Sequence, residues 1–184
     1  MAFWKFFFKH HNILTSNLSN LNNQLKKNES IDKILLVKHL ENRGTIINIY
    51  LSLNSYVNLY DLEKLCDSVG WVRRPLQKVK IAIDNSFLTA SLFYEKNKKK
   101  FLIGFARATS DTSFNATIWD VVIHPEFQGQ GLGKILMDQI IKQLRYEDIS
   151  TITLFADPQV VSFYKHLGFI TDPDGVKGMF WYPL

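Results

Sequence analysis

The sequence is poor in the features that would tie it together, anchor it or let it hold a metal. Its single cysteine, Cys66, cannot close an internal disulfide, so the fold does not rest on one and a reducing compartment suits it. No apolar run approaches the roughly 20 residues of a membrane-spanning helix. The aromatic cluster FWKFFF near the N-terminus is too short to span a bilayer, and no small-residue cleavage site follows a proper apolar segment. Neither membrane insertion nor a secretory leader is expected. The first 28 residues contain no acid and no arginine; lack of acids suits a transit peptide, lack of arginine does not. Residues 1–30, rich in asparagine, read as a disordered tail, with a partner-binding or membrane-touching helix as the alternative. No Cys/His cluster or ligand spacing is present, so no metal is expected. The basic residues give a net charge of +5 but are dispersed, without interleaved aromatics. That excludes a nucleic-acid surface as the first reading and favours a small anionic partner.

What is there suits one globular domain over residues 31–184. Of 184 residues, 46% are hydrophobic and 14% aromatic, enough for a substantial core. KILLVKH (33–39) and TIINIYLSL (45–53) read as a hairpin around ENRG. A helix follows from Asp61 to Val69, with Leu62, Leu65, Cys66 and Val69 on one stripe and Gly70 closing it. Cys66 is therefore a small core residue rather than a nucleophile. WVRRPL (71–76) is a loop before a second short helix from about Gln77 to Asn85. FLTASLFYEKN and KKFLIGFARATS are strands around a lysine-rich turn, and FNATIWDVVIH is a third strand. Leu132, Leu136, Ile140 and Leu144 stripe the next helix, with Lys134, Asp138, Lys142 and Arg145 mostly facing away. TITLFA (151–156) reads as a buried central strand. Val160, Phe163, Tyr164 and Leu167 stripe a helix ending at Gly168, and FITDPDGVKGMFWYP reads as strand, turn and strand. The order ββααβββαβαββ predicts an α/β (α+β) fold with a mixed sheet flanked by helices on both faces.

The stretch HPEFQGQGLGKILMDQ places Gly129, Gly131 and Gly133 at alternate positions before a helix. A Walker A loop fails here: Gly133 and Lys134 are followed by Ile135, and Gln128 stands where its first glycine belongs. The dinucleotide fingerprint GxGxxG fails too, because the spacing is GxGxG. What remains is a strand, a glycine loop and a helix N-terminus, which is an anion site built from unpaired N–H groups and the helix dipole. A pyrophosphate held by the backbone amides of Gln128, Gly129, Gln130, Gly131, Leu132, Gly133 and Lys134 is the expected ligand.

QGQGLG resembles the Q/R-x-x-G-x-G/A motif of the GNAT acyl-CoA-dependent N-acetyltransferases, and DPQVVSFYKHLGF resembles that family's second cofactor motif. Asp157 and Val160 stand where the family usually has Asn and Ala. WVRRPL, ARATSD, FNATIWDV, TLFAD and GMFWYP together are similar to the chloroplast subgroup that includes plant serotonin N-acetyltransferases and plastid-encoded algal homologues. The resemblance runs from about residue 56 to the C-terminus. It implies the GNAT fold, acetyl-CoA as co-substrate, and a pantetheine arm lying along Val121, Val122 and Ile123, with Asp157, Val160, Phe163 and Tyr164 also at the cofactor. It further implies an amine acceptor, most simply serotonin or another arylalkylamine, with protein lysines and N-termini, or CoA binding without turnover, as alternatives. A plastid location, in the stroma, goes with it and suits the Phe-, Asn-, Ile- and Lys-rich composition; cytoplasm is the alternative. Oligomeric state stays open, a homodimer included.

Acetyl transfer to an amine needs a base, donors for the carbonyl oxygen, and a proton for the leaving thiolate. Tyr164 matches the tyrosine that often serves as the family's general acid. Asp120 interrupts an apolar strand: period-2 alternation puts it with Ile118 and Val122, against Trp119, Val121 and Ile123. A buried acid needs a function or a partner, so Asp120 reads either as the base or as an ion pair with Arg73, Arg74 or Arg107. Asp157 is the second acid candidate. Trp119 and Phe114 are candidate walls of an acceptor pocket, beside Asp120.

Overall fold

The computed structural model describes residues 33–53 and 56–182, so the expectation for the N-terminal 30 residues lies outside it. One compact unit runs from Ser30 to Phe155, and residues from Ala156 onward belong to another.

The first unit is a six-stranded sheet in chain order. Its strands are β1 (Ile34–Asn42), β2 (Thr45–Ser52), β3 (Leu88–Lys96), β4 (Lys99–Ser110), β5 (Asn115–Ile123) and β6 (Thr151–Leu154). Neighbours are antiparallel except for the parallel pair β5–β6, which makes the sheet mixed. The β3–β4 turn is Asn97-Lys98, both at positive φ (51° and 62°), the backbone that matches the twist of the flanking strands. The lysines therefore cap a tight hairpin, and Lys99 and Lys100 are already strand residues.

Helices α1 (Leu59–Ser68) and α2 (Leu76–Asp84) form between β2 and β3. The Asn58 side chain caps α1 by accepting from the N–H groups of Tyr60 and Asp61. Leu62 and Leu65 of α1 and Ile83 of α2 form a buried cluster with Phe105 and Val122, covering one face of the sheet. Small residues of the other parity, Ala106 and Ala108 on β4, are fully buried too. Helix α3 (Leu132–Tyr146) lies against β3, β4 and β5 with Leu132, Leu136, Met137, Ile140 and Leu144 buried. The stripe expected from the sequence is the one observed.

Beyond Phe155, a 3-10 turn at Pro158–Val160 leads into α4 (Val161–His166), and Gly168 at φ 93° ends the helix. Two expectations need correction. TITLFA contributes only Thr151–Leu154, and this strand ends the sheet order rather than lying centrally; Thr153 is exposed. Its unbroken apolar and β-branched letters fit an edge strand packed from one side as well as a central one. The two C-terminal strands do not form: DPDG is a 3-10 turn (Pro173–Gly175), and residues 176–182 are exposed and pair with no strand among the described residues. Strand propensity in MFWY has no effect without a neighbouring ladder to bond to.

Candidate active site

The site is organised by a break in the regularity of β5. Phe105 pairs with Val122 and Arg107 with Trp119, so two residues of β5, Asp120 and Val121, stand opposite Ala106 alone. Asp120 has φ 54°, the left-handed backbone that Asp tolerates better than most residues, and the pair forms a β-bulge. The bulge shifts the phase of the strand. Ile118 pairs with Ala108 and faces α3, whereas Trp119 and Val122 both face the side covered by α1 and α2. The face assignment predicted from strict alternation is therefore wrong past residue 119, because one extra residue inverts every later side chain.

Asp120 is ion-paired at both oxygens. Arg107 Nε donates to Oδ2 at 2.6 Å across the strand pair, and Arg74 Nη1, from the loop before α2, donates to Oδ1 at 3.0 Å. Arg73, the third candidate partner, goes to Asp67 on α1 instead. Burial pushes the Cys66 thiol up, with Arg74 pulling the other way, which fits a packed thiol rather than a thiolate nucleophile.

Past the bulge, β5 has no partner strand on one side among the described residues. Its parallel ladder with β6 runs only from Asn115↔Thr151 to Ile118↔Leu154, so Trp119–Ile123 present an open edge. His124 N–H donates to Ile103 O at 2.8 Å, and alternation then turns the N–H and C=O of Ile123 toward that open edge. There the carbonyl accepts from Gln128 Nε2 at 2.9 Å, which ties the glycine loop to the strand end.

The loop itself runs through a 3-10 turn (Pro125–Phe127) to Gly129 at φ 75° and Gly131 at φ 79°. Gly131 caps α3 without any side-chain hydrogen bond, and the first turn contains Lys134 but no acid. A Cβ at Gly129 or Gly131 would meet nothing within 4 Å, so the space over the loop is open. Gln130 Oε1 is buried without a hydrogen-bond partner, while its Nε2 donates to Glu126 O at 3.3 Å. Open space, uncapped N–H groups and a neighbouring lysine suit an anion at this loop.

Trp119 is fixed by Nε1 donating to Thr109 Oγ1 at 2.9 Å, and its ring lies 5.5 Å from that of Phe155. Phe114, its expected companion, sits in the β4–β5 turn, five strand positions or about 17 Å away. The structure does not bring the two together. Phe155, directly after β6, is the residue that sequence reasoning missed, and its only signal was aromaticity beside a strand end. Nothing in the letters marked the bulge except an Asp in an apolar run.

In the second unit, the half-buried Tyr164 ring lies edge-on to Phe163 (5.0 Å) and Phe169 (6.0 Å). Burial, and then the charge of Asp157, pushes its phenol up. Asp157 is exposed at the start of the 3-10 turn, and Val160 is exposed at its end. Among the described residues no group of three or more His, Cys, Asp or Glu could hold a metal.

Comparison with known proteins agrees with this geometry. Residues 56–169 match the Acetyltransferase (GNAT) family. The chain is 86% identical over the full length of both proteins to "Uncharacterized N-acetyltransferase ycf52" of Gracilaria tenuistipitata var. liui. It is 55% identical to "Histone acetyltransferase TAP1" of Glycine max, over 81% of this chain and 68% of that one. Against "GCN5-related N-acetyltransferase 2, chloroplastic" of Arabidopsis thaliana it is 48% identical, over 83% and 65%. A probable acetyltransferase from Staphylococcus aureus of known structure superposes with a TM-score of 0.60 at 21% identity, covering 73% of this chain and 99% of that one, a likeness of fold. The chain belongs to the GNAT family of N-acetyltransferases, enzymes that use acetyl-CoA.

Proposed function

We propose that the chain acetylates a primary amine carried by an aromatic body, an arylalkylamine such as serotonin. The observation that carries this reading is the Trp119–Phe155 pair beside the Asp120 bulge, an aromatic wall next to a carboxylate. Acetyl-CoA supplies the activated acetyl thioester. The amides of residues 128–134 hold its pyrophosphate, and the open edge of β5 at Val121, Val122 and Ile123 takes its pantetheine arm in the manner of an added strand.

Asp120 attracts the acceptor ammonium and, directly or through a water, takes its proton; each of its ion-paired oxygens keeps a second lone pair for that purpose. Tyr164 holds a proton at Oη throughout the neutral range, because its phenol is pushed up, and serves as the donor to the leaving sulfur. Asp157 helps to keep that proton in place. The Tyr164 and Asp157 roles rest on their positions in the family's second motif.

A second acceptor class, protein amino groups, is favoured by the relative named a histone acetyltransferase. The relative named chloroplastic supports a plastid location, and we place the activity in the stroma. Thiol release from acetyl-CoA, measured against serotonin, tryptamine and lysine peptides, tests the acceptor. A higher kcat/KM for the aryl amines supports the reading. Turnover confined to peptides replaces it with the second.

A further inference from the structure

We infer that Arg74 is a positioning residue for acetyl transfer, acting through Asp120; the inference rests on the proposed role of Asp120. Two adjacent arginines fasten the loop before α2 to two different elements. Arg73 donates from Nε and Nη2 to the Asp67 carboxylate on α1, with its shortest contact at 2.6 Å. Arg74 reaches 46 positions along the sequence to Oδ1 of Asp120.

The carboxylate it meets cannot be fixed by the backbone alone. Asp120 projects from a left-handed bulge residue, and rotation about its terminal sp³–sp² bond is soft. Arg107, with a side chain 13% exposed, holds Oδ2 and leaves that rotation free. A second donor at Oδ1, from another direction, fixes the plane of the carboxylate and with it the lone pairs that face an incoming amine. Arg74 is that donor. Its side chain is 43% exposed and its charge acts on the Cys66 thiol of α1, so it sits between the loop, the helix and the bulge. Arg74 thus aims Asp120 without touching the acceptor itself.

The test compares Arg74→Gln, Arg74→Lys, Arg73→Gln, Asp120→Asn and the Arg74→Gln/Asp120→Asn double variant in the full chain, at saturating acetyl-CoA. Arg74→Gln is expected to lower kcat by about 10- to 100-fold with the Kd for acetyl-CoA unchanged. Arg74→Lys should recover part of the loss, because lysine restores the charge without the planar fork. Arg73→Gln should stay close to wild type, and the double variant should be no slower than Asp120→Asn alone. A wild-type kcat in Arg74→Gln, an equal loss in Arg73→Gln, or additive losses in the double variant would each overturn the inference. Amide hydrogen exchange at residues 119–123 provides a readout independent of turnover: it should quicken in Arg74→Gln and not in Arg73→Gln. If the wild-type chain acetylated none of the amines, the proposed acceptor would fail while the exchange measurement still decided the inference, with unchanged exchange in Arg74→Gln overturning it.

Discussion

Trp119 and Val122 share a face of β5 although they are three positions apart, because the bulge at Asp120 inserts an extra residue between them. The indole, the two arginines on the carboxylate and the α1–α2 cluster consequently lie on one side of the sheet. A regular strand would have sent either the ring or the carboxylate toward α3.

Asp120→Ala is expected to cost more stability than Asp120→Asn. Both lose the ion pairs with Arg74 and Arg107, but alanine also pays about 1–2 kcal/mol for a left-handed backbone that Asn tolerates. Urea unfolding of the two variants measures the difference. Equal losses would mean that the bulge relaxes once the ion pairs are gone.

Gly131→Ala probes the loop. Nothing lies near the added methyl, so the cost is backbone strain at φ 79°, again about 1–2 kcal/mol in unfolding free energy. A loop that escapes the strain by shifting loses amide contacts to the bound anion, and acetyl-CoA affinity should fall by about 10- to 100-fold. Calorimetric titration that returned the wild-type Kd would remove this loop from the binding site.

Gly104→Ala tests the packing behind the strand end. The added Cβ would come within 2.7 Å of Ile123 Cδ1 and 3.2 Å of Leu92 Cβ, an overpacking worth about 1–3 kcal/mol. Trimming the clashing group with Ile123→Val in the same chain should restore much of the loss. Thermal unfolding of the single and double variants decides it, and an unrescued double variant would place the strain at Leu92.

Tyr164 gives a signed pH dependence. Its phenol is pushed above the ordinary value of 10.0 by burial and by Asp157, so the folded chain keeps a proton that the unfolded chain releases. The stabilisation is complete below about pH 10 and is lost as pH rises through the folded value. The difference in stability between wild type and Tyr164→Phe, followed from pH 8 to pH 11, should narrow or reverse at the alkaline end. A flat difference would show that Tyr164 titrates as it does in the unfolded chain.

Most of the fold can be read in the letters because most of it obeys simple periodicities. The α3 stripe, the two hairpins with their turns, and the glycine loop each carry their own local chemistry, and each forms where its residues predict. The failures have one physical theme, dependence on distant partners. Asp120 looks like a polar interruption of a regular strand, and only the register with β4 shows it to be a bulge. Phe114 sits in the turn before β5, too far from Trp119 along the chain direction of the strand, while Phe155 reaches Trp119 from just past the end of β6. MFWY at the C-terminus has the composition of a strand and no ladder to join among the described residues.

The order of the strands also has a kinetic consequence. Three of the antiparallel pairs, β1–β2, β3–β4 and β4–β5, close short turns, whereas β2 and β3 (Ser52↔Ser91) must meet across α1 and α2, and β5 and β6 (Asn115↔Thr151) must meet across α3. Loop-closure entropy places both of these long-range pairs after the hairpins on the folding pathway. Substitutions at Thr151–Leu154 should then speed unfolding and leave the folding rate nearly untouched. The ladder whose early end opens the edge for the cofactor thus zips after the hairpins, and a chain stalled before that step has its hairpins in place but no defined entrance for acetyl-CoA.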